Sequence, residues 1–321
     1  MDRILLVKPK HLGDMLLLVP SVLALRSQIT GVRVDILGNE KSIRILEPFR
    51  EINQIWTIQG DANCQRLTED ISRIRYDCVI EMHGQPFTMG FVQNNSFGGA
   101  KRFLSNSIAA RDDWKNAHAS RRDWIVISEL MGLSEEPLLR PLYPAPNMKL
   151  KTLGLPDLKR FAIFQTLSND PHRTWFVENW RELASGLMSR FDLDGIVLPF
   201  GSESEHTRVK QISRGIKRCF VPPKALGFKE HAALARRSTV CVSVNTGTMH
   251  LAAAVNAKIV AIWGPESYPM KVWNPLCDNF LIVREDEIVR PSDIRGARLQ
   301  GGMVDNNSVS TVASAVSELM R

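Results

Sequence analysis

At 321 residues the chain is longer than one hydrophobic core usually grows, so two domains of ordinary size are expected. An apolar share of 44% beside 23% charged residues excludes a disordered or fibrous chain. The net charge of +7 favours anionic partners, yet no basic tract occurs and the cations are scattered, which argues against nucleic acid as the partner.

Taken in chain order, Ile4 to Val7 is a continuous apolar run that stops at Lys8-Pro9-Lys10-His11-Leu12-Gly13-Asp14, and an apolar pattern of helical period follows from Met15 to Arg26. Val32 to Leu37 and Ile52 to Ile58 read as strands, Gln65 to Arg75 as a helix, and Cys78 to Met82 as a buried strand. Such alternation implies a parallel sheet with helices on both faces. From Gly84 to Arg122 the pattern weakens into what reads as loops, and Trp124 to Met131 restores a helix. Pro137, Pro141, Pro144, Pro146 and Pro156 then crowd an interval that cannot be one regular element, and the interdomain linker is expected there.

A second alternating series follows. Phe161 to Gln165, Gly195 to Phe200, Val240 to Val244 and Ile259 to Trp263 read as strands. Between and after them, Trp175 to Arg190, Ser204 to Ile216, Phe228 to Ala235, Met249 to Val255 and Val309 to Met320 read as helices. The expected organisation is α/β: a Rossmann-like domain over residues 1–155, another over 156–308, and a terminal helix over 309–321. A site in the cleft beyond the carboxyl ends of their strands is the expectation for such a pair.

Five cysteines (Cys64, Cys78, Cys219, Cys241, Cys277) show no paired spacing and sit mostly in apolar runs, which reads as buried reduced thiols of a cytoplasmic protein. The opening Met-Asp-Arg-Ile-Leu-Leu-Val meets a polar turn too soon for a signal peptide, and no apolar run has the length of a membrane span. Any contact with the membrane is expected to be peripheral, at the inner face.

Four strand-end segments carry candidate chemistry. In the first, Gly13 lets the backbone turn closely and Asp14 falls near a helix N-terminus, where an Asp is a helix cap or a reacting carboxylate. In the second, Val242 to Ala254, a strand breaks at Asn245-Thr246-Gly247-Thr248 before an alanine-rich helix. Small residues at such an N-terminus leave backbone N–H groups suited to phosphate, although an ordinary N-cap reads the same way. The third, Gln165 to Trp175, offers Arg173 as a charge-assisted fork for a diphosphate. The fourth, Leu198 to Glu205, offers polar side chains to a ribose, or only a cap to the next helix.

Together these segments resemble glycosyltransferase family 9, the ADP-heptose:lipopolysaccharide heptosyltransferases. The Leu12-Gly13-Asp14 triplet after a short polar loop is similar to the family's opening. Asn245-Thr246-Gly247-Thr248-Met249-His250-Leu251-Ala252-Ala253, followed by a strand and Trp263-Gly264-Pro265, is similar to its Asp-Thr-Gly-x-x-His-Leu-Ala-Ala signature. Asp77 to Gly84 and Arg173-Thr174-Trp175 match in place and order.

The resemblance implies a GT-B fold with two Rossmann-like domains whose parallel sheets face a cleft, and an inverting glycosyl transfer that needs neither metal ion nor cofactor. The donor would be a nucleotide sugar such as ADP-heptose, and the acceptor a lipopolysaccharide core or other anionic glycolipid or glycan. It makes Asp14 the general base. Arg173, at the position of a family Lys, and Thr246, Gly247 and Thr248 would meet the leaving diphosphate, with Asn245 in the donor site and Glu205 on the ribose. His250 would lie near the phosphates or buttress its helix. Lys8, Lys10, His11, Arg102, Arg111, Arg121 and Arg122 would bind acceptor carboxylates and phosphates.

Two departures stand out. Asn245 occupies the place of the usual Asp, replacing a charged acceptor by an amide that both donates and accepts, which would change the donor sugar. The loop Lys8 to His11 is more basic than the family's Ser-rich loop and points to a more anionic or a different acceptor. The rival readings are the same fold with another donor or acceptor, and a non-catalytic sugar-nucleotide- or glycan-binding paralogue. A nicotinamide dehydrogenase is disfavoured, since no GxGxxG follows the first strand of either domain.

Overall fold

The computed structural model describes residues 1–58, 64–95, 97–168, 170–264, 269–294 and 304–321, without the side chains of 64–66, 107 and 171. Asn169, which falls within the Gln165 to Trp175 segment, Pro265 and the Cys64 thiol thus lie outside the described residues. The chain divides into two compact units, Met1–Pro141 and Leu142–Arg321.

In the first unit, β1 (Arg3–Val7), α1 (Leu12–Gln28), β2 (Arg33–Asn39), β3 (Gln54–Ile58), α2 (Cys64–Ser72), β4 (Cys78–Glu81), α3 (Pro86–Asn94), β5 (Lys101–Leu104) and α4 (Ala119–Met131) follow one another. The sheet order is β3-β2-β1-β4-β5, with every pair parallel. The order reverses between β1 and β4, and the carboxyl ends that flank such a reversal are where open α/β sheets bind ligands. Leu5, Val7, Val79, Ile71 and Phe91 pack on one face of the sheet. α1 is buried at every position from Met15 to Val22, as an apolar helix enclosed by neighbours must be. Asp35 is one of the buried charged residues of this unit, and Arg3, Asn53 and Tyr76 satisfy it with hydrogen bonds of 2.6–2.8 Å.

The stretch from Gly84 to Arg122, expected as loops, instead holds α3, β5 and the first residues of α4. β5 was masked by its position. It is an edge strand whose first two residues, Lys101 and Arg102, are exposed, so it carries no apolar run.

In the second unit, β6 (Phe161–Gln165), α5 (Val177–Arg190), β7 (Gly195–Val197), α6 (Glu203–Ser213), β8 (Cys219–Phe220), α7 (Phe228–Arg237), β9 (Val240–Val244), α8 (Gly247–Ala254), β10 (Ile259–Ile262), β11 (Phe280–Arg284), β12 (Glu287–Val289) and α9 (Val309–Met320) build a sheet ordered β12-β11-β10-β9-β6-β7-β8. Among the described strands only β12 runs antiparallel, as an edge hairpin on β11. The order reverses between β6 and β9.

The unit boundary differs from the expected one. Residues 142–155, assigned to the first domain on proline spacing, pack with the second: Leu150, Leu153 and Leu155 join the core around Phe161 and Ile163, and the Tyr143 amide donates to the Ala254 carbonyl at 2.9 Å. Nor is the terminal helix separate. Val312, Ala313, Ala315 and Val316 of α9 lie in the same core as Val242, Ile262 and Val283. Burial pushes the thiols of Cys78 and Cys219 up to about 12, and that of buried Cys241 up as well. No helix among the described residues is long and apolar enough to cross a membrane.

Candidate active site

Each unit carries a locus at its sheet reversal. In the first, β1 ends at Val7, and Lys8 to His11 turn into α1. The loop is braced from the end of β2 and the helical turn after it, for the Lys10 carbonyl accepts hydrogen bonds from Asn39 Nδ2 at 2.7 Å and Ser42 Oγ at 2.5 Å. His11 is the N-cap residue, but its side chain makes no capping bond. Asp14 is the third residue of α1, not its cap, and its carboxylate stands 4.0 Å from the Lys10 ammonium.

Across the reversal, Glu81 closes β4. Its Oε1 accepts from the amides of His83 and Gly84, each at 2.8 Å, and from Thr88 Oγ1 at 2.6 Å. This carboxylate organises the turn that presents His83, where Gly84 adopts φ +73°, a conformation glycine enters without strain. Burial and then the Lys10 charge lower the His83 basicity, against the pull of Glu81 and Asp14, so the ring is neutral at pH 7.

The cations expected to bind the acceptor are sorted by this geometry. Lys8 is 3% exposed and forms an ion pair with Asp123 of α4, which removes it from the surface role expected of it. Arg102 donates to the Gln93 and Asn95 carbonyls, and Arg111 is held by Asp113 and Glu129. Arg121 pairs with Glu136 at 3.1 Å, while Arg122 lies over the Trp114 ring and donates to the Trp114 carbonyl at 3.0 Å. These four hold local structure together. Lys10 and His11 remain in the loop that leads to Asp14.

In the second locus, Thr246 is the N-cap of α8, its backbone extended and its side chain making no capping bond. The Thr246 side chain therefore leaves the first-turn N–H groups of α8 unclaimed, and the helix dipole places partial positive charge there. Thr246, Gly247 and Thr248 are partly exposed, while Asn245 is buried. Arg173 is held to the same turn, with Nη1 donating to the Asn245 carbonyl at 3.2 Å and Nε 3.5 Å from Asp170. Trp175 fixes this loop from beneath. It is fully buried, its indole N–H donates to the Asn307 carbonyl at 3.0 Å, and it meets Trp180 edge-on at 5.2 Å. His250 is buried and its ring stands edge-on to Trp273 at 6.4 Å.

Glu205 is engaged in the start of α6. Its Oε2 accepts from the Gly201 amide at 2.5 Å, and Ser202 Oγ accepts from the Glu205 amide at 3.3 Å, an arrangement of the capping-box kind. Gly264, after β10, is demanded by packing: a Cβ there would come within 2.6 Å of the Val304 side chain and 3.2 Å of the His172 carbonyl. Among the described residues no three His, Cys, Asp or Glu side chains lie close enough to hold a metal ion.

Three participants escaped sequence reasoning as site residues. Asp123, His83 and Gln165 gave only weak signals, of which a carboxylate beside Trp124 on a buried helix face is the clearest. Gln165 ends β6 buried, its amide 3.0 Å from His231 Nε2, and its Oε1 has no hydrogen-bond partner among the described residues. The same holds for Asn245 Nδ2, after the neighbouring strand β9. An unmet acceptor and an unmet donor are thus buried at the two strand ends that flank the reversal, where a polar ligand would repay each by about 1–3 kcal/mol.

The sequence profile of glycosyltransferase family 9 (heptosyltransferase) matches residues 65–300. Lipopolysaccharide heptosyltransferase 1 of Escherichia coli strain K12 is 25% identical over 285 residues, which span 82% of this chain and 88% of the relative. Its namesake from Pseudomonas aeruginosa is 23% identical over 289 residues, 82% of this chain and 79% of the relative. Among solved structures, the E. coli heptosyltransferase WaaC with ADP superposes with a TM-score of 0.76 at 20% identity, covering 98% of this chain and 99% of that one. E. coli ADP-heptose lps heptosyltransferase II gives 0.78 at 17% identity, with 100% and 98% covered. The fold, two parallel-sheet α/β domains of the GT-B kind, is shared with both.

Proposed function

The chain belongs to glycosyltransferase family 9, the heptosyltransferases, and from that premise we propose that it moves heptose or a related sugar from an ADP-sugar to a lipopolysaccharide core or similar anionic glycan. The turn between β9 and α8 carries this reading. Uncapped N–H groups of Thr246, Gly247 and Thr248 and the Arg173 guanidinium converge on one strand end, a donor set suited to a diphosphate. Solved relatives hold ADP and ADP-2-deoxy-2-fluoro heptose, which supports an adenosine diphosphate sugar as the donor here.

In this mechanism the Asp14 carboxylate takes the proton of an acceptor hydroxyl while that oxygen attacks the anomeric carbon. The bond from that carbon to the diphosphate breaks, ADP leaves with the electron pair, and the configuration inverts. Negative charge growing on the leaving oxygen is met by the first turn of α8 and by Arg173, so the step proceeds without a metal ion or other cofactor. Glu205 holds the ribose, and His250 supports the helix that carries the phosphate donors. Lys10 and His11 face the anionic acceptor, while Arg102, Arg111, Arg121 and Arg122, engaged locally, contribute at most to a positive field. The protein works in the cytoplasm, with peripheral contact at the inner face of the membrane where such an acceptor is presented.

An Asp14→Ala variant is expected to bind ADP like the wild type in calorimetry and to show no transfer. Transfer at the wild-type rate would remove Asp14 from the role of base. A second reading, a different donor sugar, is favoured by the unpartnered amide of Asn245, which offers a donor where a carboxylate would only accept. Thermal shift against ADP, UDP, GDP and their sugars separates the two, because a ligand bound to the native state raises its melting temperature. Selective stabilisation by ADP-heptose supports the first reading, and by another nucleotide sugar the second.

A further inference from the structure

Lys8 sits at the first position beyond β1, and its side chain runs inward rather than out to a substrate. Its ammonium pairs with Asp123 on α4 and donates a hydrogen bond to the Asp14 carbonyl at 3.1 Å. Both charged side chains are nearly enclosed, 4% and 9% exposed. Burial pushes the Asp123 carboxyl up towards its neutral form and the Lys8 charge opposes that shift. Taking such a pair out of water costs several kcal/mol per ion, and an apolar pair of similar volume is often as stable or more so. Stability alone therefore does not account for the pair.

What the pair does geometrically is tie three elements together at Asp14. α1 begins without a side-chain cap, so at His11 its first turn is held by the backbone alone, through the Met15 amide donating to the His11 carbonyl at 3.1 Å. The Lys8 ammonium supplies a tether instead, fastening the backbone of Asp14 to α4, the helix that packs along α1. We propose that Lys8 and Asp123 are positioning residues for this transferase: a buried ion pair that holds the first turn of α1 so that the Asp14 carboxylate stands in register with the acceptor hydroxyl. The inference rests on the reading of Asp14 as the base.

The test uses the full chain, with transfer from ADP-heptose measured for Lys8→Met, for the double variant Lys8→Met/Asp123→Leu, and for Asp14→Asn. Misplacing a reacting group by about 1 Å costs roughly 100-fold in rate, so Lys8→Met is expected to lower kcat about 100-fold. Donor KM and the ADP Kd, which depend on the second unit, are expected to stay within about two-fold of wild type.

The double variant guards against simple misfolding, since it removes both buried charges. It is expected to regain the wild-type melting temperature while keeping the kcat deficit, because the bond to the Asp14 carbonyl is still absent. If kcat returns together with stability, the pair is purely structural and the proposal is wrong, even with Asp14→Asn inactive. If Asp14→Asn itself turns over at the wild-type rate, the base assignment falls first and takes the positioning role with it.

Discussion

Single side chains decide how this fold responds to pH. His231 is enclosed in the second unit, and burial pushes its imidazole from 6.5 down to about 4, so at pH 7 the ring is neutral, with Nε2 3.0 Å from the Gln165 amide nitrogen. The unfolded chain takes up this proton near 6.5 and the native one only near 4. Between those values the unfolded state binds more protons, so stability is fully present above pH 6.5 and is lost as the pH falls through the window. The whole difference amounts to about 3 kcal/mol. Denaturant midpoints of the second unit should drop over that range, and a His231→Gln variant, which keeps a polar partner for Gln165, should lose that share of the slope. An unchanged slope would show that the groups responsible lie elsewhere.

Elements matter where they complete a core that sequence position makes look dispensable. α9 lies at the end of the chain, and its start is capped twice over: Ser308 Oγ accepts from the Thr311 amide, and Asp286 accepts from the Ser308 amide and hydroxyl. It buries Val312, Ala313, Ala315 and Val316 against the sheet, and the Leu319 carbonyl accepts from Lys258 Nζ at 2.8 Å. Removing residues 309–321 exposes apolar surface worth roughly 5 kcal/mol, comparable with the whole stability of a domain. The truncated chain is expected to lose the cooperative unfolding transition of its second unit, followed by circular dichroism, together with ADP binding. Retention of both would mean that α9 is an accessory rather than part of the core.

At the scale of the whole molecule, the amino-acid sequence alone determined the alternation of strands and helices, the two parallel sheets and the strand-end segments around Asp14, Arg173 and Thr246. Those features are local. Apolar period, a polar break after a strand and a glycine at a turn are all carried by residues near one another in the chain. The edge strands β5, β8 and β12 were not legible, because a short strand paired on one side only needs no apolar run; β11, an interior strand, was not read either, although Phe280 to Val283 is apolar. The Asp14 loop looked like an array of cations offered to a substrate, and only the tertiary structure showed that Lys8 is spent inside the unit on Asp123, 115 residues away. It likewise moved residues 142–155 into the second unit and brought the unmet Gln165 Oε1 and Asn245 Nδ2 to neighbouring strand ends. Which polar side chain is buried, and against what, depends on packing between segments distant in the chain, and no spacing within one segment encodes it.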